Sequence, residues 1–537
     1  MQMKIHKKKI SRADWPRWIA GAYIAGMLGI FPFYYRNKYF DMGESKYLFF
    51  RAATMAMLAL MLTALACGRI TASPKNRTRS RISIMDRAVL IYGGTAIASW
   101  ILSPFRVHAF IGSDDWYMGL LSQLLFVGIY FCISRFGTDQ KWPLWIMGVS
   151  GAAVFIIAYM HRFGIDPLGL YAGVPDRYKL TFVGILGQAT WYSSYICIVL
   201  PVMMGVYMTA RWGRTVSGQR ERILAGVFIF LGFCTAVTQN SDSVYIGLGL
   251  AFIFLLWFAL EEIEYWKRYI EIGLLAATAA KITGILQAIF SERVPRLDKL
   301  SFMVTKGKAG WLILALALVI YGITCIAEKR IPKEQWRRFN HLISRIRIVF
   351  YGVLAVAAVS LPVFMWLVST GKVSADFASW LQTGKNSYLM FNEKWGNGRG
   401  QTWSYSVRVF CEYPPIMKLF GCGPDSFAFY STIHHAEEIR DMWGNASLNN
   451  AHNEWLTALI DYGVIGAASY ISVFAVSFIR TVKNGKNRPI LLAAGAAILA
   501  YAGHNFFCYQ QAVCTPLIFI VMGAVECVIR KSSLQEG

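Results

Sequence analysis

The stretch from Ser243 to Leu260, SVYIGLGLAFIFLLWFAL, contains no charged residue. A helix of that length rises about 27 Å, which nearly matches the roughly 30 Å hydrocarbon core of a bilayer. Similar apolar runs lie on both sides of it, at 15–34, 47–67, 85–103, 116–134, 143–160, 190–210, 223–239, 269–287, 310–327, 348–369, 457–479, 489–507 and 512–529. The sequence therefore predicts an all-α, polytopic membrane bundle of about 14 transmembrane helices (12–14), in a single membrane domain over residues 1–537.

The composition excludes an ordinary soluble globule. Of the 537 residues, 56% are hydrophobic and only 16% are charged, whereas about 25% of residues are charged in soluble domains. The net charge of +24 would suit a nucleic-acid binder, but the positions of the basic residues argue against that use. Loops that alternate to the inside carry most of the 54 Lys and Arg residues, at about three times the density of the outer loops, as the positive-inside rule requires. We therefore expect no nucleic-acid partner, both termini in the cytoplasm, and a multi-pass protein in the lipid bilayer of the cytoplasmic (inner or plasma) membrane.

One long polar segment, residues 370–456, interrupts the apolar runs. The alternation places it outside the cytoplasm, so we expect a large extracytoplasmic loop with short helices that carries the active site. Cys411 and Cys422 share this loop, where an oxidising environment would permit a disulfide. The sequence leaves their pairing open.

Arg399 lies between two glycines of this loop, in Asn397-Gly398-Arg399-Gly400. Flanking glycines let a ligand approach closely, and a planar guanidinium matches a pair of phosphate oxygens. The glycine-rich turn is predicted to lead into an amphipathic helix, because apolar residues recur at helical spacing at Trp403, Val407 and Phe410. The alternative is an arginine that pairs with Glu393 or Glu412 and only fixes the loop.

His452 is the candidate catalytic residue. It lies in Asn449-Asn450-Ala451-His452-Asn453-Glu454, directly before the apolar run at 457–479. The pattern predicts a helix that begins near Ala451 and is capped by Ser447, Asn449 or Asn450. His452 would then lie in the first turn, where the helix dipole disfavours imidazolium and favours a nearby anion. A neutral imidazole there can accept a proton; the alternative is a histidine with a purely structural role.

Two further polar clusters carry less chemistry. Gly421-Cys422-Gly423-Pro424-Asp425 has the residues of a tight corner, with Asp425 as a cap for the residues that follow. His434 and His435 next to Glu437 and Glu438 resemble a metal cluster. Adjacent histidines diverge on most backbones, so we expect a solvated loop there. The sequence predicts no metal site and no cofactor.

Taken in order, these residues resemble the signature of the O-antigen ligase and polymerase family of bacterial membrane glycosyltransferases. The elements are Gly398-Arg399 with Trp403, Gly421-x-Gly423-Pro424-Asp425, Ala451-His452-Asn453-x-x-Leu456 and Gly463-x-x-Gly466. The segment 184–192 resembles the family segment that follows an outer-loop arginine, which here corresponds to Arg177. The segment 238–243 lacks the arginine that many members carry after a serine, which removes the expected cationic contact from that helix pair.

The resemblance implies transfer of a glycan from an undecaprenyl-diphosphate-linked donor to an acceptor sugar or glycolipid on the outer face of the membrane. The attack would be direct and inverting, and it would use neither a metal nor a nucleotide sugar. His452 would remove the acceptor proton, and Arg399 and Arg177 would bind the donor diphosphate. Arg408 is a weaker candidate for the same binding role. The supporting residues would be Asn450, Asn453, Trp403 and Asp425.

Other functions remain open at this point. A flippase for lipid-linked sugars suits the number of helices, but its functional charges are expected at midmembrane depth. A membrane protein that only binds glycan would bind the donor without turnover. Among enzymes, a ligase that attaches a finished polymer and a polymerase that extends one use the same donor, so the sequence does not separate them.

Overall fold

The computed structural model describes residues 15–67, 82–179, 181–210, 216–330, 333–370, 372, 389–444, 448–485 and 488–533, without the side chains of 177, 216–217, 333–334 and 336–344. The described chain is helical almost throughout. The helices of its first half are α1 (Trp15–Ala25), α2 (Met42–Ala66), α3 (Ile84–Leu102), α4 (Arg106–Ile111), α5 (Leu120–Phe136), α6 (Trp142–Arg162), α7 (Asp176–Lys179), α8 (Ala189–Thr209), α9 (Val216–Ala236) and α10 (Ser243–Ala259).

The second half continues in the same way. Its helices are α11 (Ile263–Ile289), α12 (Lys299–Thr305), α13 (Lys308–Arg330), α14 (Lys333–Ser369), α15 (Trp395–Glu412), α16 (Pro415–Phe420), α17 (Phe427–His434), α18 (Ala436–Trp443), α19 (Glu454–Asn484), α20 (Pro489–His504) and α21 (Thr515–Ser533). The described strands, β1 (Phe182–Val183) and β2 (Gly187–Gln188), form one short antiparallel pair ahead of α8.

Each predicted apolar run falls on a helix, and the first continues from α1 through a π-helical turn (Gly26–Ile30) and a 3-10 turn (Phe31–Phe33). In the described residues, seven helices are long and apolar enough to cross a membrane: Met42–Ala66, Trp142–Arg162, Ala189–Thr209, Ile263–Ile289, Lys308–Arg330, Arg345–Ser369 and Glu454–Asn484. An all-α, multi-pass membrane protein is therefore confirmed. The total of about fourteen spans stays a prediction.

Contacts between the helix connections divide them into two groups. In the first group, Tyr39 donates to the Gly184 carbonyl (2.5 Å), Ser103 to the Cys422 carbonyl (2.5 Å) and Arg162 to the Pro295 carbonyl (2.5 Å). We call this side of the bundle the loop end; it comprises 34–41, 103–119, 162–179, 181–188, 237–242, 290–307, 389–444, 448–453 and 505–514. The second group, which we call the opposite end, is joined by ion pairs: Lys141–Glu221, Lys267–Glu328 and Lys531–Asp139. The connections that carry the candidate site residues thus lie together.

Two glycines hold the loop end against α19. Gly421 has φ +80°, and Gly463, with φ +68°, breaks the regular geometry of α19. A Cβ on Gly421 would lie 2.2 Å from the Asp461 carbonyl, and one on Gly463 would lie 2.3 Å from the carbonyl carbon of Leu419. Only glycine permits this backbone-to-backbone approach at positive φ. The corner at 421–425 and the glycine motif at 463–466, separate in sequence, are therefore one packing contact.

The core of the bundle lies along α8 and α20. In α8, 83% of the apolar stretch is buried, whereas in α14 the figure is 0%. A Cβ on Gly205 of α8 would lie 2.4 Å from the Ala493 Cα of α20, so small residues let these two helices approach closely, as is common between membrane helices. α14 lies at the periphery.

Candidate functional site

His452 stands directly before α19, not inside it. The helix begins at Glu454, and its N-cap is Asn453, whose Oδ1 accepts hydrogen bonds from the N–H groups of Trp455 (3.0 Å) and Leu456 (3.1 Å). The prediction that the helix begins near Ala451 is therefore wrong. Several residues here can cap a helix, and Asn453 does so because its carboxamide reaches two free amides at once. Of the predicted caps, Asn449 and Asn450 precede the helix, and Ser447 lies outside the described residues.

The backbone of His452 is left-handed, with φ 49°. This conformation costs about 1–2 kcal/mol in a residue with a Cβ, so the surroundings must hold it. Asn450 Oδ1 accepts the His452 N–H (2.8 Å), and the Ala451 N–H donates to Thr457 Oγ1 (3.2 Å). Asn450 and Asn453 thus fix the chain on both sides of the imidazole.

The ring nitrogens of His452 form no hydrogen bond with any residue that the structure describes. The ring packs edge-on against Tyr509, at 5.4 Å between centroids, and the residue is half-buried. Buried histidines elsewhere have partners: His504 Nε2 lies 2.9 Å from Ser194 Oγ, and His161 Nδ1 lies 3.2 Å from the Tyr39 hydroxyl. The imidazole of His452 is therefore available to a ligand.

Burial, together with the positive charge of Arg399, lowers the pKa of His452 to about 4. The ring is neutral near pH 7, as the sequence predicts. The physical cause differs from the predicted one, because desolvation and a guanidinium act here in place of a helix dipole. An anion bound at Arg399 would offset that charge and make the imidazole a stronger base.

Arg399 follows a left-handed turn formed by Gly396, Asn397 and Gly398, with φ values of 59°, 62° and 87°, and the regular part of α15 begins after it. The predicted glycine-flanked turn and following helix are confirmed. The guanidinium donates to the carbonyls of Gly396 (2.8 Å) and Phe507 (3.2 Å) and lies over the Phe507 ring, 5.9 Å from its centroid.

Within the described part of the chain, Arg399 forms no ion pair, and its buried Nε has no hydrogen-bond partner. Pairing with Glu393 or Glu412, the structural alternative, is not found. Burial lowers the pKa of Arg399, although a guanidinium keeps its charge at neutral pH. Arg399 is thus a half-buried cation whose described hydrogen-bond partners are neutral carbonyl groups.

Residues 507–509 connect the cation to the imidazole. Phe507 binds Arg399 and Tyr509 packs on His452, and residues two apart are separated by no more than about 7 Å. The Tyr509 hydroxyl donates to Gln188 Oε1 (2.7 Å) and accepts from Trp191 Nε1 (3.1 Å). The segment 184–192 therefore reaches His452 through Tyr509. Phe507 and Tyr509 were not predicted as site residues. The one feature of the sequence that marks them is their position in a short connection between two apolar runs.

Trp403 belongs to an aromatic cluster around Arg399. Its ring lies 5.2 Å from Trp395, 5.8 Å from Phe507 and 6.3 Å from Phe391. The Trp403 Nε1–H is buried without a partner among the described residues. The cluster contacts Arg399 through Phe507, and it contains one buried N–H donor without a described partner.

Asp425 binds a different segment from the one predicted. Its Oδ2 accepts the N–H groups of Ser113 (2.9 Å) and Met118 (3.0 Å), whereas the amide of Phe427 donates to Asp461 (3.0 Å). The prediction that Asp425 caps the following residues is therefore wrong, because the fold brings the 113–118 loop to it first. Burial raises the pKa of Asp425 to about 7.

Arg408 pairs with Glu412 (3.6 Å) and with Glu438, and 46% of its side chain is exposed. Its charge already has two carboxylate partners. His435 lies near the same two carboxylates, at 3.5 and 3.6 Å. Arg177 lies in α7, but its side chain is outside the described residues, so its role stays a prediction.

The cysteines of the loop are both free: Cys411 is exposed and Cys422 is buried. No disulfide joins them. Among the described residues, no group of three or more His, Cys, Asp or Glu side chains is placed to hold a metal ion.

Arg162, the last residue of α6, is a second buried cation that sequence reasoning missed. Its Nη1 lies 3.4 Å from both the Thr238 carbonyl and Asn240 Oδ1, and its Nη2 donates to the Pro295 carbonyl (2.5 Å). It forms no ion pair with a described residue, and its Nε is buried without a partner. A guanidinium thus contacts the 238–243 turn, for which the sequence predicts no cationic contact. The feature of the sequence that could have identified Arg162 is a basic residue at the loop end of an apolar helix.

A cavity of about 30 Å³ lies at the start of α19. Its lining includes Trp116, Asp425, Asn450, Glu454, Asp461 and Tyr509. That volume holds about one water molecule, so it does not accommodate a sugar ring in this state.

A known protein family matches the part of the chain that contains most of these residues. Residues 297–471 match the sequence model of a family described as O-antigen ligase, a range that contains Arg399, the corner at 421–425, His452 and Gly463. No curated protein matches the chain significantly. Over residues 297–471, the chain is therefore similar to the O-antigen ligase family.

Proposed function

We propose that the protein is a glycosyltransferase of the cytoplasmic membrane. It transfers a glycan from an undecaprenyl-diphosphate-linked donor to an acceptor sugar or glycolipid at the extracytoplasmic face, as a ligase or a polymerase. The observation that carries the proposal is the proximity of His452, with its free ring nitrogens, to Arg399, a half-buried cation without an ionic partner. The first has the chemistry of a general base and the second that of an anion site.

In the proposed reaction, the acceptor hydroxyl attacks the anomeric carbon of the donor sugar. His452 takes the hydroxyl proton, a bond forms between the acceptor oxygen and the anomeric carbon, and the bond from that carbon to the diphosphate oxygen breaks. Direct attack inverts the anomeric centre. A positioned base of this kind contributes about 10²–10⁴-fold to a rate.

The leaving group is the lipid diphosphate, whose negative charge grows as the bond breaks. Arg399 stabilises that charge with a planar donor set, and positive charge supplied by arginine replaces a divalent metal in this proposal. The same anion offsets the effect of Arg399 on the pKa of His452. Donor binding would thereby strengthen the base at the moment when it is needed.

We assign the other polar residues as follows. Arg162 is the second candidate for the diphosphate, because it too is buried without an ionic partner in the described chain. Arg177 keeps the same role as a prediction. Arg408, with its two carboxylate partners, stabilises the loop in this proposal. The loop end faces the outside, with both termini in the cytoplasm, in keeping with the distribution of basic residues.

The test is to replace His452 by Ala and, separately, Arg399 by Ala in the native host and to examine surface glycan by gel. We expect nearly complete loss of product at normal protein level for both variants. Arg408→Ala and His434→Ala are the matched controls and should keep the product. Single repeats in the Arg399 variant would identify a polymerase, whereas intact chains on the carrier lipid would identify a ligase.

Unchanged glycan in the His452 variant would refute its role as base. Unchanged glycan in both variants would favour a flippase or a glycan-binding protein, since neither needs a base beside a diphosphate.

A further inference from the structure

Glu454, the first residue of α19, is a buried carboxylate that the proposed reaction does not use. Only 2% of the residue is exposed, and it forms no ion pair with a described residue. Its Oε1 accepts a hydrogen bond from the Tyr470 hydroxyl, and its Oε2 accepts one from Asn505 Nδ2. Burying a carboxylate costs free energy even when donors surround it, and an apolar residue at this position would avoid that cost.

The hydrogen bonds of Glu454 reach both ends of the connection at 505–510. At its start, Asn505 contacts Glu454 twice, since the Asn505 carbonyl also accepts the Glu454 N–H (2.9 Å). At its other end, Gln510 Nε2 donates to the Tyr470 hydroxyl (3.2 Å), which in turn donates to Glu454. The carboxylate thus joins two points of the connection to α19.

Gln510 is also attached to two other helices of the bundle. Its Oε1 accepts from Gln123 Nε2 of α5 (2.8 Å), and Gln123 Oε1 accepts from the Tyr92 hydroxyl of α3. Gln123 and Tyr92 are fully buried. The connection is therefore fixed to the helices of the bundle, and not only to its neighbours at the loop end.

The residues between these two attachment points contact the base and the cation. The Phe507 carbonyl accepts a hydrogen bond from Arg399, and Tyr509 packs against the His452 ring. His452 itself stands two residues before Glu454. The separation of the imidazole from the guanidinium therefore depends on how Glu454 holds the connection.

We infer that Glu454 is a positioning residue that keeps His452 and Arg399 at a fixed separation, an inference that rests on the proposed function. In that reaction the base and the cation act on one substrate at the same time. A misplacement of about 1 Å can lower a rate by about 100-fold even when its cause is remote from the chemistry. Glu454 acts through Phe507 and Tyr509, which contact the two groups directly.

The hydrogen bonds indicate which substitution should preserve this arrangement. Asn505 Oδ1 is buried without a partner among the described residues. In Glu454→Gln, the Asn505 carboxamide can turn round so that its oxygen accepts from the new amide, while the Tyr470 hydroxyl still donates to the remaining oxygen. Glu454→Leu removes both acceptors. The two variants lose the same charge and differ in their hydrogen bonds.

The experiment compares these two variants in the purified full chain in lipid nanodiscs, with the host's undecaprenyl-diphosphate glycan as donor and its glycolipids as acceptors. We expect Glu454→Leu to lower kcat by about 100-fold with little change in the KM of the donor, and Glu454→Gln to keep most of kcat. Glu271→Gln is the control and should leave kcat unchanged. Glu271 is also a buried carboxylate that accepts from tyrosine hydroxyls, but it lies toward the opposite end.

A second measurement needs no substrate. NMR titration with isotope-labelled histidine reports the pKa of His452, which burial and Arg399 lower to about 4. In Glu454→Leu, the loosened connection should let the ring move from the guanidinium and gain water, so this pKa should rise toward the ordinary 6.5. In Glu454→Gln it should stay near 4.

A wild-type kcat in Glu454→Leu would overturn the inference. An equal loss in both Glu454 variants would overturn it too, because the charge and not the hydrogen bonds would then matter. Tyr470→Phe, which removes only a hydroxyl, tests the same link if Glu454→Leu does not fold: a smaller loss of kcat is expected, and an unchanged kcat would contradict the positioning role.

The two measurements separate this inference from the proposed function. Absence of transfer by the wild type would count against the proposed function. An unchanged titration of His452 in Glu454→Leu would count against the positioning role, whether or not the wild type transfers glycan.

Discussion

Buried and half-buried arginines have different partners at the two ends of the bundle. At the opposite end, Arg530 pairs with Asp86 and with Glu526 (3.1 Å), and Arg480 pairs with Glu526 (2.9 Å). Arg135 also pairs with Asp86 (3.2 Å). Each of these cations has a carboxylate from another helix or from the next turn.

At the loop end, Arg399 and Arg162 have carbonyl and carboxamide oxygens as partners and no ion pair in the described part of the chain. Removing a charge from water is expensive unless an opposite charge compensates it. The compensation is internal at the opposite end, so those arginines serve the fold. It is incomplete at the loop end, which leaves a place for an anion from outside. The two groups differ in the partner, not in the residue type: an arginine paired with a carboxylate is satisfied within the fold, whereas one with only neutral hydrogen-bond partners can still pair with an anion.

The largest effect is expected when a carboxylate at the opposite end is removed. Asp86→Asn would leave Arg135 and Arg530 without their shared partner, and we expect the free energy of unfolding to fall by about 3–5 kcal/mol. Denaturant titration of the purified protein measures it. Glu412→Gln, which removes an exposed partner of Arg408, is the control and should change stability by no more than about 1 kcal/mol. Equal, small changes in the free energy of unfolding would mean that the buried ion pairs do not stabilise the fold.

The opposite result is expected when arginines of the loop end are removed. Arg399→Met and Arg162→Met should unfold at the wild-type temperature or above it, because each removes a buried charge that lacks an ionic partner. Inorganic pyrophosphate at 100 times its Kd should stabilise the wild type by about 2.7 kcal/mol, seen as a rise in Tm, and the two variants should lose most of that rise.

Arg408→Met supplies the control for pyrophosphate, since the Arg408 side chain has two carboxylate partners. It should keep the full rise in Tm. A normal pyrophosphate response in Arg162→Met would remove Arg162 from the anion site and restrict the comparison to Arg399.

The helices can be predicted from the sequence, whereas the partners of the arginines cannot. An apolar run predicts a helix because every backbone polar group in lipid must bond within its own segment. The turn before Arg399 is equally local, since three successive residues with positive φ include two glycines. These features depend on neighbours in the chain.

The start of α19 and the site aromatics depend on distant residues. Asn449, Asn450 and Asn453 can all cap a helix, and sequence pattern does not rank them. In the structure, the Glu454 N–H donates to the Asn505 carbonyl (2.9 Å), a contact that helps fix the first turn of α19. Tyr509 reaches His452 from a connection more than fifty residues away, and no local pattern predicts that.

The smallest expected effect concerns the acid limb of the pH profile. His452 acts as a base only when neutral, so kcat/KM should fall as the pH drops through the pKa of the free enzyme, about 4. One cause of this low pKa is the charge of Arg399, which forms no ion pair with a described carboxylate. As the pH is lowered, the residual kcat/KM of Arg399→Gln should therefore begin to fall at a higher pH than that of the wild type. The limb should remain below the ordinary histidine pKa of 6.5, because burial still lowers it.

Arg408→Gln tests whether this shift is specific to the loop-end cation without an ionic partner. Arg408 already pairs with Glu412 and Glu438, so its removal should leave the acid limb in place. A limb near 6.5 in the wild type would mean that the group that accepts the proton does not lie beside a cation without an ion pair. The loop end would then resemble the opposite end, with Arg399 acting as one more fixed structural charge.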